Sequence, residues 1–366
     1  MTYKDPLKKI LEHTRWYWDH DGVRPDVRTA FRKVLQCRTL ALGAEVFVSE
    51  NGELIVCHTC KSRACPSCGH WATMKWQHER QIALPSVLYR GITFSMPDVL
   101  WRVFRKNRSL ADALPALAAG AIKALITAKY ELRAGVIAIL HTFNGRLGFN
   151  SHVHAMVTAG GWQASSCTWV HAVLYTRGML MPLWRSAVLG LLRAALRAGV
   201  LTTEMTPDEM EAMLVEQERW WSVKVQPLDT TKHFLQYAGR YALRPPIAQR
   251  RISYIGDGIV QFKSKDKKLG QSVEVQCSIE EFIDRWSQHI PKRYQHAIRY
   301  FGVFAPRAVS QTFDAIFSAI GHKRQPKPIP PRWADSLKQS SGHDPLLDST
   351  GQRMNWARRL VPQASL

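Results

Sequence analysis

Residues 150–161 read "NSHVHAMVTAGG". A strand sends successive side chains to opposite faces. His152, His154, Met156 and Thr158 then share one face, and Val153, Ala155 and Val157 share the other. The Val/Ala/Val row is a core face. Two imidazoles about 7 Å apart on the opposite face can converge on one metal ion. Two neutral nitrogen ligands leave positions open for water and a phosphate oxygen. Alone, a histidine–x–histidine strand more often holds two ordinary histidines, so its neighbours decide.

Upstream, residues 135–142, "GVIAILHT", form a second strand, and the turn-rich "FNGRLGFN" makes the pair a hairpin with a long tip. "YRGITFSMP" alternates and stops at Pro97. Residues 98–133 and 162–215 read as mainly helical. "WWSVKVQ", 220–226, is another strand, and Asp229 or Thr230 caps a helix running to Leu243, ended by Pro245 and Pro246. Tyr237 and Tyr241 sit four apart on that helix and so on one face. The plain reading of such a pair is core packing. A basic stretch follows: from Arg240 to Lys268 there are eight Lys/Arg, including Arg240, Arg244, Arg250, Arg251 and Lys265, against Asp257 and Asp266. "RRISYIG" and "GIVQFKSKD" form a hairpin over "DG", and "SIEEFIDRWSQHI" is an amphipathic helix.

The second cluster is "CHTCKSRACPSCGH". Cys57, Cys60, Cys65 and Cys68 follow a C-x2-C-x4-C-x2-C spacing. Two such knuckles can wrap one tetrahedral zinc, and four thiolates leave no open position, which makes the site structural. Cys37, His58 and His70 are the reserves.

The bulk numbers agree with a protein that meets a polyanion. The 366 residues are 46% hydrophobic, enough for more than one core, and 50 Lys+Arg against 29 Asp+Glu give a formal charge of +21. The apolar stretches at 110–140 and 172–200 are interrupted by Lys123, Lys129, Arg133, Arg177, Arg185 and Arg193, so no membrane span is expected. "MTYKDPLKKILEH" lacks a secretory pattern, and a reducing compartment is the default for the cysteines.

Five blocks, "CKSRACPSCG", "GITFSMP", "LHTFNGRLGFNSHVHAMVTAGG", "YAGRYALRPPIAQRRI" and "HIPKRYQHAIRYFGVFAPR", occur in the order found in one family. Over roughly residues 25–310 the chain resembles the HUH-class rolling-circle transposases of the insertion sequence 91 family, including the related common-region elements. The resemblance implies an α+β fold: an antiparallel-sheet HUH endonuclease palm with flanking helices, plus an N-terminal zinc-binding module. It implies nicking and rejoining of single-stranded, hairpin-containing DNA at element ends through a 5′-phosphotyrosine. It assigns Tyr237 and Tyr241 as catalytic, with Tyr237 expected to attack first, and His152 and His154 as ligands of a catalytic magnesium or manganese. A third ligand is usual in the class. His141 is chosen because the hairpin folds it back beside the pair, with His233 and Gln236 in reserve. The expected location is the bacterial cytoplasm and nucleoid.

Two departures stand out. Many relatives carry an extra cysteine pair between the positions of Cys37 and Cys60, whereas "EVFVSENGEL" has none, which leaves Cys57 the least secure zinc ligand. A cysteine knuckle common after "DPLL" is replaced by "DSTGQRM". The expected organisation is a helical segment at 1–35, the zinc module at 36–85, the nuclease domain at 86–310 with a helical insertion near 162–215, and a basic, flexible tail at 311–366. A plasmid-type relaxase or replication initiator shares the histidine and tyrosine chemistry. A non-catalytic zinc DNA-binding relative is the third alternative.

Overall fold

The alternating stretches become the middle of one antiparallel sheet. In the structure, a computed structural model that describes residues 5–217, 221–265, 270–326, 329 and 332–362, five strands lie side by side. They are β1 (Tyr89–Ser95), β2 (Gly135–Phe143), β3 (Phe149–Thr158), β4 (Ser222–Leu228) and β5 (Ile298–Gly302), in the order β5-β2-β3-β1-β4. The strand read at 220–226 is β4, although Trp220 lies outside the described residues. Across the sheet, His154 stands opposite Ile139 on β2 and Thr93 on β1, and His152 stands opposite His141.

Val153, Ala155 and Val157 are fully buried, as their alternation requires. They share a core with Ile92, Phe94, Val136 and Ala138. Three helices cover that face: α1 (Asp98–Lys106), α2 (Leu114–Tyr130) and α3 (Arg177–Arg197). Residues Arg108–Tyr130 and Arg177–Arg197 are long and apolar enough to cross a membrane. Here Leu114, Ala118, Ile122 and Ile126, and Leu180, Trp184, Val188 and Leu192, are part of the core. Helix α3 comes from the stretch read as a helical insertion. It is bound into the palm by Trp184, whose ring lies 5.2 Å from Phe94 and whose Nε1 donates to the Ser95 carbonyl at 2.9 Å. The stretch opens with a small hairpin, Gly161–Gln163 and Thr168–Val170, before α3 and α4 (Pro207–Glu216). The double glycine after β3 permits that hairpin: a Cβ on Gly160 would lie 1.9 Å from the Val170 carbonyl oxygen.

The chain divides into two compact units whose boundaries differ from those read in the sequence. The palm unit is Arg80–Leu243 with Pro291–Lys327, and includes α5 (Thr231–Ala238) and α6 (Pro306–Ala319). The other unit gathers Met1–Glu79, Arg244–Ile290 and Pro328–Leu366. Within it, the Pro25–Gln36 helix stacks Phe31 on Trp286 of the Ile279–Ser287 helix at 4.6 Å. The "DG" hairpin forms, with Asp257 at φ 50° and Gly258 at φ 74°, as a tight two-residue turn demands. A third strand, Ser272–Ser278, completes that sheet. The end of "GIVQFKSKD" lies outside the described residues.

The reading of 311–366 as one flexible tail is corrected. Helix α6 extends to Ala319, Trp333–Ser341 is helical, and Asn355–Leu360 pairs antiparallel with the Ala44–Ser49 strand. Glu45 fastens that last strand, accepting from Trp356 Nε1 at 2.8 Å and Arg359 Nε at 2.7 Å. The polar composition masked a strand whose side chains are mostly exposed but whose backbone is paired.

Because Trp184 is fully buried between α3 and the sheet, Trp184→Ala should cost about 3–5 kcal/mol of palm stability. Urea unfolding followed by circular dichroism would show the midpoint falling.

Candidate functional site

The second face of β3 is also covered, by α5 and the turn after it. Thr230 caps α5, its side chain accepting from His233 N. The helix stops at Ala238, five residues short of the Leu243 end read in the sequence. Tyr241 N bonds Ala238 O at 2.9 Å and Leu243 adopts φ 50°, so tight turns replace the last helical turn. Gly239, a weak helix former, sits at the break. Even so, the Tyr237 and Tyr241 rings are 5.1 Å apart and both stand over the histidines.

His141, His152 and His154 each place a ring nitrogen within 4.8 Å of the others. His141 Nδ1 faces His152 Nε2 at 3.2 Å. That separation fits an N–H···N contact, and it also fits the edge of about 3.0–3.4 Å between two imidazole nitrogens on one ion at about 2.1 Å. The Asn150 carbonyl lies 2.8 Å from His152 Nδ1. Since a carbonyl only accepts, it fixes the proton on Nδ1 and leaves the Nε2 lone pair aimed at His141. His154 is 5% exposed, and its Nδ1 lies 3.2 Å from both Thr93 Oγ1 and Tyr237 Oη. Those two hydroxyls are 3.2 Å from each other. His233 and Gln236, the reserves, point to solvent on α5.

The two tyrosines occupy different environments. Tyr237 is 3% exposed, and burial pushes its phenol up to about 12. Tyr241 is half-buried, and its ring stacks on His154 with centroids 3.4 Å apart and planes at 14°. It also meets His141 edge-on at 5.7 Å. Gly91 makes the approach possible, because a Cβ there would lie 3.2 Å from the Tyr237 ring. Thr93 and Gly91 were missed in the sequence. The signal was present: in "YRGITFSMP" they occupy one alternating face, and β1 is the neighbour of β3.

The thiol cluster needs a correction. The four sulfurs brought together are those of Cys37, Cys60, Cys65 and Cys68; Cys57 is not among them. Cys57 ends a strand, paired with Ala44. Cys37 follows the Pro25–Gln36 helix, is buried, and accepts from Cys60 N at 3.4 Å. The Sγ separations are 3.6 Å for Cys37–Cys68, 3.6 Å for Cys60–Cys68 and 3.7 Å for Cys65–Cys37. Four sulfurs about 2.3 Å from a tetrahedral zinc have edges of about 3.8 Å, so the donor set fits that ion. His58 is committed elsewhere, with Nδ1 3.0 Å from the Leu42 carbonyl and Nε2 3.2 Å from Glu45.

The basic residues are dispersed. Arg240 is exposed, its guanidinium 5.1 Å from the Tyr237 ring centroid. Arg244, Arg250 and Lys265 are exposed in the other unit. Arg251 is half-buried, and its Nε donates to the Lys263 carbonyl at 2.6 Å, which gives it a structural task.

Residues 9–96 match the insertion sequence 91 family profile described as "Transposase zinc-binding domain", and residues 135–312 match the profile described as "Putative transposase". The chain belongs to the insertion sequence 91 family of transposases. It is 29% identical to the transposase for insertion sequence element IS801 of Pseudomonas savastanoi pv. phaseolicola, over 86% of this chain and 80% of the relative. It is 28% identical to the candidate transposase y4qJ of Sinorhizobium fredii, over 80% of this chain and 79% of that protein. No solved structure matches the chain. This transposase is thus a DNA-processing enzyme, and its zinc-binding domain and four-thiol cluster support a structural zinc.

Two outcomes follow. Cys37→Ser should lose the single equivalent of zinc that wild type and Cys57→Ser retain, by elemental analysis. Tyr237 should also mark the alkaline stability profile. Its folded value of about 12 lies above the ordinary phenol value of 10.0, so its contribution is whole below pH 10 and is lost as pH rises through 12. Between those limits Tyr237→Phe should flatten the fall in unfolding free energy by up to about 1.4 kcal/mol per pH unit, read from denaturant titrations at each pH.

Proposed function

We propose that this transposase is an HUH-type nuclease that cuts and rejoins single-stranded DNA at the ends of its element by way of a 5′-phosphotyrosine, as rolling-circle transposition requires. The observation that carries the reading is the stack of Tyr241 on His154 within a three-histidine cluster. It puts a phenol beside a set of nitrogen donors suited to a divalent cation. A magnesium or manganese ion held by His141, His152 and His154 would draw charge from the non-bridging oxygens of the scissile phosphate.

The chain's own residues account for the rest. His152 is oriented by the Asn150 carbonyl and His154 by Thr93 and Tyr237. With His154 Nδ1 committed to the two hydroxyls, the ligand role falls to Nε2. Tyr237 then acts on the side of His154 away from the phosphate, and its buried, hydrogen-bonded phenol positions that ring. Tyr241, half-buried, is the attacking group. This reverses the order expected from the sequence, for a steric reason: only one of two rings at different depths can be in line with a given phosphate. The Tyr241 oxygen forms a bond to phosphorus as the bond to the 3′ oxygen breaks. The phenol proton passes to solvent, and the departing 3′ oxygen takes up a proton. The phosphotyrosine conserves the phosphodiester bond energy, so rejoining needs no nucleotide cofactor. Arg240 in the palm, and separately Arg244, Arg250 and Lys265 in the other unit, are exposed cations suited to phosphate contacts.

The test is covalent adduct formation on single-stranded oligonucleotides from the element's ends. Tyr241→Phe should form none. Tyr237→Phe, which keeps the ring, should form it about 10–100-fold more slowly, the range for groups that orient a ligand. His154→Ala and chelator should each abolish adduct while leaving oligonucleotide binding within a few fold. Adduct at the wild-type rate in Tyr241→Phe would overturn the assignment of the nucleophile.

A further inference from the structure

Away from the histidines, α1 and the start of β3 form a half-open cavity of about 440 Å³. Its walls are Asp98, Val99, Trp101, Arg102, Arg105 and Phe149. Helix α1 buries Leu100 and Phe104 and leaves Arg102, Arg105 and Lys106 in solvent. Among the described residues neither Arg102 nor Arg105 has an ion-pair partner. Arg108 sets its guanidinium over the Phe149 ring at 5.6 Å. Three arginines against one aspartate, with two aromatic rings, suit a planar π system attached to an anion.

We infer that this cavity receives an unstacked base of the single-stranded DNA substrate, with Phe149 and Trp101 as stacking surfaces and Arg102 and Arg105 on the flanking phosphates. The inference rests on the single-strand nuclease reading above. Two observations select the occupant. The volume admits one nucleotide and excludes a duplex, so the base must leave its stack. Base–aromatic stacking and arginine on the backbone are the two devices by which proteins hold single strands. The cavity sits on the α1-covered side of the sheet, toward the hairpin-tip end of β3. Phe149 and His152 are on the same strand, roughly 10 Å apart by strand rise. Phe143, opposite Phe149 in the β2–β3 register, packs on His141 with ring centroids 3.9 Å apart.

The experiment uses the full-length, zinc-loaded chain and fluorescence anisotropy of a labelled single-stranded oligonucleotide across a salt series. Arg102→Gln with Arg105→Gln removes two surface charges and should leave the melting curve unchanged. It is expected to lower the slope of log Kd against log salt by about 1.4, at about 0.7 per phosphate contact on a single strand. The corresponding weakening at 0.15 M salt is about tenfold. Phe149→Leu should weaken binding at least fivefold with the slope unchanged, the least expected for one stacked base. Duplex binding should not change in either variant, and a free deoxynucleoside monophosphate at millimolar concentration should not compete.

Unchanged slope and affinity in the double arginine variant, with Phe149→Leu within twofold of wild type, would overturn the inference. So would effective competition by the mononucleotide, which would make the cavity a nucleotide pocket off the strand's path. These readouts are separate from chemistry: if wild type forms no phosphotyrosine on any strand, the nuclease reading fails while the binding data still decide the cavity.

Discussion

The register of β2, β3 and β1 is the constraint on which the site depends. Because strand side chains repeat every two residues, pairing His154 with Ile139 and Thr93 fixes at once which groups meet. A slip of one residue would carry His152 and His154 into the helix-covered core and expose Val153, Ala155 and Val157. The core resists it: those three side chains are fully buried among α1, α2 and α3. The apolar face thus specifies the geometry of the polar one. The irregularity between His141 and Phe143 falls just past the histidine pairing, at the hairpin tip, so it does not disturb the register beneath Tyr237 and Tyr241.

The parts legible in the sequence obey local rules. The alternation of "SHVHAMVT" and the turn composition of "FNGRLGFN" were enough to bring His141 against His152, because a hairpin's partners are set by its loop. "DG" gave the second hairpin for the same reason. What could not be read was non-local. Cys37 lies 23 residues before Cys60, and nothing in the spacing shows that the end of one helix will fold back on the knuckle. Cys57 fits the knuckle spacing better, but the ladder to Ala44 holds it in a strand. The Asn355–Leu360 strand pairs with a segment more than 290 residues earlier, and its exposed Trp and Arg side chains give no alternation. The end of α5 was misplaced because propensity favours helix through Tyr241, and the tight turn at Gly239 is a tertiary outcome.

The same non-local logic governs the zinc-bearing unit. Read linearly, it is a small module that ends near residue 85. In the structure the helix preceding Cys37 is packed by Trp286, and Arg24 donates to the Ser287 and Ile290 carbonyls. Tyr17 donates to Asp284 at 2.9 Å. The Ala44–Ser49 strand takes its outer partner from the C-terminal segment. A fragment stopping at residue 85 would keep all four clustered cysteines but lose the apolar partners that order the helix carrying Cys37 into place. Zinc contributes to folding only where its ligands can be gathered. Here that gathering draws on three separated stretches of chain, so the metal staples a unit that burial has already assembled.

Two tyrosines four residues apart need not do the same work. At Tyr237 the surroundings oppose ionisation: burial raises the phenol, and the hydroxyl shares a triangle with Thr93 and His154 whose three sides are each 3.2 Å. A phenol so placed is a good hydrogen-bonding partner and a poor nucleophile, since attack would require breaking two contacts and leaving His154 unheld. At Tyr241 the ring is fixed by stacking, which constrains its plane, and its hydroxyl meets that of Tyr237. Stacking on an imidazole has a second consequence. The pair holds face to face only while His154 is oriented, and His154 is oriented by Tyr237 and Thr93. The position of Tyr241 therefore depends on the buried tyrosine through the histidine between them. The absence of a side chain at Gly91, one strand away, allows the buried ring to sit close enough to make that contact.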